Sequence, residues 1–447
     1  MPTSEDKTKK LLKIMEDEDI RELMGEINNY HPADIAEFMK FLVPDEKKLV
    51  FSLLDAATAA DVVVELDEDP KQLILQEIQS NRITEIVDDL ESDDAADIID
   101  DLPDEIAQEV LDKIDEEDAE EIQRLMRYDE ESAGGIMQTE VVSVKDNANV
   151  SRAIKEIRSM SGEVEDIHNV FVVDADERLV GVLPLRKLIL ALPKSKVFNI
   201  MDKDPISVTV DLDQEEVARK FKKYDLVTMP VVDKHERLIG RITVDDIVDV
   251  IEEEATEDII KLTGAADEYA WSSSVFKNAG TRLPWLFASW VGGIIASMVI
   301  GLFKDTLSEA VALAAFMPVI AGMGGNVASQ SSTIVVRGLA IGSIDVKRLW
   351  QVVSREVRVG IILGVTYGVL LGIFAWFYYL DIIRLWIVVG LGIFASMTIA
   401  ATMGTLMPII LAKLNIDPAV ASGPFVSTTT DIISILMYFT LATIIIL

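Results

Sequence analysis

From Gly280 to the C-terminus the chain holds five long apolar stretches, at 283–303, 310–336, 359–380, 385–412 and 418–447, and the first four contain no Asp, Glu, Lys or Arg. About 20 apolar residues cross the hydrocarbon of a bilayer as a helix. Backbone polar groups have no water partners there, so an unbroken helix is the form such stretches must take. The connection after the second stretch carries Arg337, Lys347, Arg348, Arg355 and Arg358, which assigns it to the cytoplasmic side. The short connections at 304–309 and 381–384 then lie outside, as does the C-terminus, and everything before Gly280 lies inside. Residues 281–447 are expected to form an all-α transmembrane domain of five helices in the cytoplasmic membrane.

The formal net charge of −35 is unevenly placed. Residues 1–270 carry 31 basic and 69 acidic side chains, while the part from Gly280 carries nine basic and seven acidic ones. So acidic a half repels nucleic acid and anionic lipid. Its carboxylates suit hard divalent cations, which prefer oxygen ligands. Cysteine is absent, which excludes disulfides and thiolate metal sites, and the three histidines (His31, His168, His235) all precede the apolar half. The first residues, MPTSEDKTKK, lack the apolar core of a secretory signal.

Two apolar stretches are unusual. The fifth contains PFVSTTTDIISIL (424–436), with one carboxylate, Asp431, preceded by Ser427, Thr428, Thr429 and Thr430 and with no base nearby. A charge at the centre of a spanning helix costs roughly 2.5–3.5 kcal/mol on insertion scales and is usually aimed at a cavity or an ion. The bland alternative is a satisfied polar group between packed helices. The second stretch contains MPVIAGMGGNVASQSST (317–333), where Pro318, Gly322, Gly324 and Gly325 weaken a helix. Non-helical backbone at that depth is tolerated where it lines a wet cavity. Freed carbonyls, Asn326 and the hydroxyls of Ser329, Ser331 and Ser332 would be oxygen ligands for a hydrated divalent ion. The alternative is close helix packing through small residues.

The acidic half divides in two. Residues 1–132 show only helical periodicity, with similar runs at 33–42, 60–66 and 96–102 in which Asp34, Asp61 and Asp97 are expected to begin helices. Pro32, Pro44, Pro70 and Pro103 fall near the junctions, and stacked helix pairs are the expected form. Residues 133–200 and 201–250 each read as a β-α-β-β-α unit: VFVVD (170–174) and MPVVD (229–233) are followed by ERLVGVLPLRKLI and ERLIGRITVDDIV. The two units resemble tandem CBS motifs, which pair into one α/β module and often bind adenine nucleotides. CBS sites hold a ribose with Ser/Thr and an Asp three residues on. The second unit has Thr243 and Asp246 there, and the first has Pro184 and Lys187. Residues 244–263 then read as one linking helix within a segment reaching 275. Its apolar stripe is Ile247, Ile251, Ala255 and Ile259, its acidic face Asp246, Asp249, Glu253 and Glu257, and Gly264 is its stop signal.

With P-V-x-x-G-x-G-G-N in the second span and S-x-P-x-V-x-T-x-x-D in the fifth, this order of domains resembles the MgtE family of magnesium channels. The resemblance implies a non-enzymatic, Mg²⁺-selective uptake channel and a homodimer whose pore, on the twofold axis, is lined by the second and fifth helices. It places the pore site on Asp431 with Gly324, Gly325 and Asn326. It also implies closure by cytosolic Mg²⁺ bound at Asp93, Asp97, Asp213, Glu215, Asp225, Asp246, Asp249, Glu254 and Glu257, with ATP as a further ligand of the CBS pair. Two competitors remain. An intramembrane protease needs histidines or paired carboxylates that the spans lack. A nucleotide-gated transporter of another solute needs the ribose acceptor that Lys187 replaces.

Overall fold

The computed structural model describes residues 4–446 apart from 18, 161–166, 264–274, 342, 345–348, 381, 383, 415 and 420–422. Gly264, Lys347 and Arg348 therefore lie outside the described residues. The chain forms two compact units, Met1–Ile251 and Glu252–Leu447.

The first unit begins with ten helices: α1 (Ser4–Glu16), α2 (Ile20–Glu26), α3 (Pro32–Lys40), α4 (Pro44–Ser52), α5 (Ala56–Val64), α6 (Glu68–Leu75), α7 (Ser80–Val87), α8 (Ser92–Asp100), α9 (Asp104–Leu111) and α10 (Glu116–Leu125). Alternate helices pack on one another, α1 on α3, α3 on α5, α5 on α7 and α7 on α9, which is the stacking of a helical superhelix. Pro32 and Pro44 occupy first turns, where the missing N–H is no loss. Only Asp34 lies in a first turn, however. Helix α5 starts at Ala56 because Asp55 caps it, accepting from the Thr58 N–H at 2.9 Å, and this places Asp61 mid-helix. Asp97 is likewise inside α8, which starts at Ser92. At α5 the cap, not the Ala-Asp pair, sets the boundary.

Two homologous units follow. The first comprises β1 (Ser143–Lys145), α11 (Val150–Ser159), β2 (Asn169–Val173), β3 (Leu179–Pro184) and α12 (Leu185–Leu190), with β4 (Asp202–Lys203) added at its edge. The second comprises β5 (Val208–Thr209), α13 (Gln214–Tyr224), β6 (Thr228–Val232), β7 (Leu238–Thr243) and α14 (Val244–Thr263). In both, a parallel pair is followed by an antiparallel hairpin with a bulge at the same place, Val172/Val173 and Val231/Val232. Each hairpin turn holds a glutamate at positive φ, Glu177 and Glu236, both at 63°. Asp174 and Asp233 brace these turns by accepting the N–H of Arg178 and Arg237 at 2.9 Å. The Leu179 N–H donates to Glu236 O and the Leu238 N–H to Glu177 O, a reciprocal pair that joins the copies. The linking helix is continuous, but of its expected apolar stripe only Ile247 is buried, while Ile251, Ala255 and Ile259 are exposed.

Among the described residues of the second unit, five helices are long and apolar enough to cross a membrane. These are α15 (Val275–Leu302), α17 (Ala312–Ala340), α18 (Leu349–Tyr378), α19 (Leu385–Lys413) and α20 (Pro424–Ile446), with the short α16 (Lys304–Glu309) after the first. Helix α19 is central and touches α17, α18 and α20, while α15 lies on α20. Gly360, Gly364, Gly368 and Gly372 of α18 face α19 so closely that an added methyl at Gly368 would stand 2.7 Å from the Gly390 carbonyl.

Two expectations are corrected here. The stretch 317–333 is helical throughout, across Pro318 and all three glycines, so it offers no freed loop of carbonyls. Of its glycines, Gly324 serves close packing, because an added Cβ there would meet Ser396 Oγ at 2.5 Å and Ser434 Oγ at 3.2 Å, whereas one at Gly322 would meet nothing within 4 Å. The third span begins at Leu349, ten residues before Val359, and therefore takes Arg355, Glu356 and Arg358 onto a helix.

Candidate functional site

Helix α20 carries Asp431 on its second turn, and α17 passes beside it. The Asp431 Oδ1 lies 4.0 Å from where a Cβ of Gly325 would be. Gly325 has no side chain, so the carboxylate rests against the helix backbone. The contact is framed by hydroxyls. Ser396 of α19 donates to the Ile320 carbonyl at 3.0 Å and shares a 2.8 Å bond with Ser434 of α20. Tyr438 donates to the Leu313 carbonyl at 3.1 Å and pins the outer part of the same helix pair. Thr430 Oγ1 is fully buried without a hydrogen-bond partner. Asp431 itself is half-buried and no base pairs with it among the described residues.

The remaining polar groups of α17 fall on one side. Gly322, Asn326, Ser329, Gln330 and Thr333 are all exposed and recur at helical spacing, while Gly324, Val327, Ala328 and Ser331 are buried against neighbours. A polar stripe of this length cannot face hydrocarbon without unsatisfied groups. Gln330 was not singled out by the sequence, although its spacing from Asn326 is the signal. Of the three serines read as ligands, only Ser329 shares this exposed face; Ser331 and Ser332 are buried.

A second acidic site lies in the first unit, between α8 and the start of α14. Asp93 is buried, and its Oδ1 has no partner. Burial pushes its carboxyl well up, and Asp94 and Asp246 add to the shift. Asp94 is pushed to about 8 by burial and by Asp246, Asp97, Glu91 and Asp245. Glu91 rises to about 7, mainly through burial, although Arg241 offsets part of this by donating to its Oε1 at 3.1 Å. Asp246 is also raised by burial, against the hydroxyl of Thr243 that it accepts at 2.6 Å. The sequence pointed to Asp93, Asp97 and Asp246 but missed Glu91, Asp94 and Asp245. The doublets Asp93-Asp94 and Asp245-Asp246, each at a helix start, are the signal for them.

Of the other anticipated acidic residues, only Asp249 borders this cluster. Asp213 caps α13 by accepting the Glu215 N–H at 2.9 Å, and Glu215 pairs with Arg219 at 2.7 Å. Asp225 closes the same helix in the left-handed region, φ 51°. Asp249 lies one turn after Asp246 and adds to its upward shift. In the second unit Glu257 pairs with Lys261, which also contacts Asp417 at 3.0 Å. Asp258 is raised by burial, then by Asp417 and Glu254. Lys187, in the ribose position of the first repeat, pairs with Asp202. Among the described residues no three Asp, Glu or His side chains converge tightly enough to chelate a bare ion. Spaced carboxylates of this kind fit an ion that keeps part of its water, which is how Mg²⁺ is usually held.

Known proteins align with this architecture. Residues 30–131 match the MgtE intracellular N domain, 133–194 and 197–253 match CBS domains, and 317–441 match the divalent cation transporter domain named MgtE. The chain is 33% identical to the magnesium transporter MgtE of Bacillus subtilis, over 97% of this chain and 96% of that one. It is 36% identical to the magnesium transporter MgtE of Thermus thermophilus, over 72% and 71%. A crystal structure of the cytosolic domain of the Mg²⁺ channel MgtE in complex with ATP covers 54% of this chain and 99% of its own, at 35% identity and a TM-score of 0.52. Matched along nearly its whole length by a relative of the same construction, the chain belongs to the MgtE family.

Proposed function

We propose that this protein is a Mg²⁺-selective channel of the cytoplasmic membrane that admits Mg²⁺ to the cell and closes when Mg²⁺ binds its acidic cytosolic half. The observation that carries the reading is the carboxylate of Asp431 set against Gly325, beside a helix whose polar stripe is exposed. A second copy of the chain covers that stripe and encloses a wet path lined by α17 and α20 of both protomers. Two Asp431 side chains then face one another, and their mutual repulsion is relieved by a divalent cation between them. Mg²⁺ sheds water reluctantly, so the ion is held through its hydration shell, with Asn326 and the hydroxyls at hydrogen-bonding range. The basic groups Arg337, Arg355 and Arg358 orient the chain with the acidic half inside and the C-terminus outside.

Mg²⁺ uptake by proteoliposomes, followed with an internal indicator, tests this reading. Uptake well above that of empty vesicles, lost in the presence of competing hydrated cations of similar size, is expected. Uptake no faster than in empty vesicles contradicts it.

Closure is assigned to the carboxylates at α8 and the head of α14. The unpartnered Oδ1 of Asp93 and the carboxyls raised around it, first by burial and then by one another, support this reading, in which a divalent ion supplies the missing positive charge. Without the ion, Asp94 and Glu91 titrate near 8 and 7, above the unfolded values of about 4. The native state then binds more protons than the unfolded state through this window. Stability is fullest at its acid end and falls as pH rises through it. Mg²⁺ should therefore raise the melting temperature of the cytosolic domains in the intact protein, and more at pH 8 than at pH 6. Equal shifts at both pH values would detach the cluster from Mg²⁺ binding. ATP has no required part in this scheme: Asp246 is bonded to Thr243, and the first repeat offers Lys187, already paired, where a ribose acceptor is needed.

A further inference from the structure

Glu356 is the second carboxylate enclosed by the transmembrane helices. It belongs to α18, one turn before Gly360, and is 8% exposed. No base pairs with it among the described residues, although Arg355 and Arg358 flank it in sequence. Its Oε2 accepts from Ser331 Oγ of α17 at 3.1 Å. A buried carboxyl is costly in such surroundings unless something requires it.

The layer around it explains the requirement. Three helices meet there through their smallest residues. Gly360 of α18 approaches Ala401 and the Met397 carbonyl of α19, and Gly404 of α19 presses on the Ala328 carbonyl of α17. Contacts between bare backbones bring helices close but supply no side-chain knobs, so they leave rotation about the helix axis weakly specified. A single buried polar pair is a known means of fixing register in such a case. Ser331 stands six residues past Gly325, about 9 Å along the same helix. Any turn of α17 about its axis at Ser331 is carried rigidly to Gly325 and Asn326.

We propose that Glu356 is a positioning residue of the permeation path: through Ser331 it fixes the rotation of α17 and so holds Gly325 and Asn326 in line with Asp431. The inference rests on the channel reading and adds to it a residue outside the pore. It also separates conduction from closure, because the pair belongs to the second unit and the acidic cluster to the first.

The test is Mg²⁺ flux in proteoliposomes, normalised to assembled protein, for E356A, E356Q, S331A and the double variant E356A/S331A. Loss of a hydrogen bond to a carboxyl group predicts a fall in flux of about tenfold for E356A and for S331A. The double variant should be no worse than either single one, since both remove the same bond. E356Q keeps an acceptor and should recover most of the flux. The cytosolic Mg²⁺ concentration that closes the pore should not move in any of them. Unchanged flux in S331A, which alters one small side chain, overturns the proposal even where E356A fails to assemble. So does an E356Q as impaired as E356A, or losses that multiply in the double variant. Absence of flux in the unsubstituted protein would instead overturn the channel reading, and this inference with it.

Discussion

Replacing Asp431 by Ala will reduce Mg²⁺ uptake to below about one-hundredth of the unsubstituted rate while the protein still assembles in the membrane. The size follows from charge. A divalent ion about 5 Å from a carboxylate gains on the order of 6 kcal/mol at an effective dielectric of 20, and a fraction of that already exceeds two decades in occupancy. Asp431 stands half-buried beside Gly325, and among the described residues no base neutralises its charge. Asp431→Asn keeps the shape and loses the charge, so it should fail almost as fully as Ala. An Asn variant that still conducts would mean that polar coordination, rather than charge, holds the ion. Uptake assays on both variants, with assembly checked by size exclusion in detergent, separate these outcomes.

Gly324→Val should be as damaging, but by another route. The first added carbon would meet Ser396 Oγ at 2.5 Å, Ser434 Oγ at 3.2 Å and Thr430 Cγ2 at 3.6 Å. Those hydroxyls belong to two different helices and are bonded to each other, so they cannot yield without breaking the joint between α19 and α20. Overpacking of this kind costs about 1–3 kcal/mol in a close-packed interior. The expected result is a lower melting temperature in detergent together with loss of uptake, as α17 is displaced from Asp431. Gly293→Ala is the control: nothing lies within 4 Å of the added carbon, and stability should be unchanged. A Gly324→Val protein as stable and active as the control would show that α17 and α20 are not held at this point.

Much of the architecture was legible because the physical constraints are strong. A bilayer leaves few options for apolar stretches of twenty or more residues, and each of the five carries a long helix. The duplicated hairpins of the CBS units declare themselves through paired β-branched runs and identical Glu-Arg-Leu turns, which the structure shows bonded to each other. Asp431 is conspicuous because nothing near it in sequence can neutralise it.

What was misread has equally plain causes. Pro318 and three glycines argue against a helix in water, where propensity and solvent compete. In an apolar setting every backbone group must bond internally, and α17 stays helical. The start of α5 depends on the Asp55 cap, which a short Ala-Asp run does not encode, and α8 likewise begins ahead of its Ala-Asp pair, at Ser92. Glu356 was hidden among arginines that read as a cytoplasmic loop, because helix ends rich in charge look like connections until their burial is known. The acidic cluster was half found. In a chain with 76 acidic residues, composition cannot say which carboxylates the fold will bury together.

The central claim is that one molecule both conducts Mg²⁺ and is shut by it from the inside. Single-channel recording of the purified protein in a planar bilayer, with Mg²⁺ varied on the cytosolic face, addresses both halves at once. The account predicts unitary openings at low cytosolic Mg²⁺ that vanish as the ion rises through the millimolar range, about 10⁻³ M, the range of exposed, partly hydrated carboxylate sites. Mg²⁺ flux without unitary currents would contradict it, and would make Asp431 the site of a carrier with alternating access.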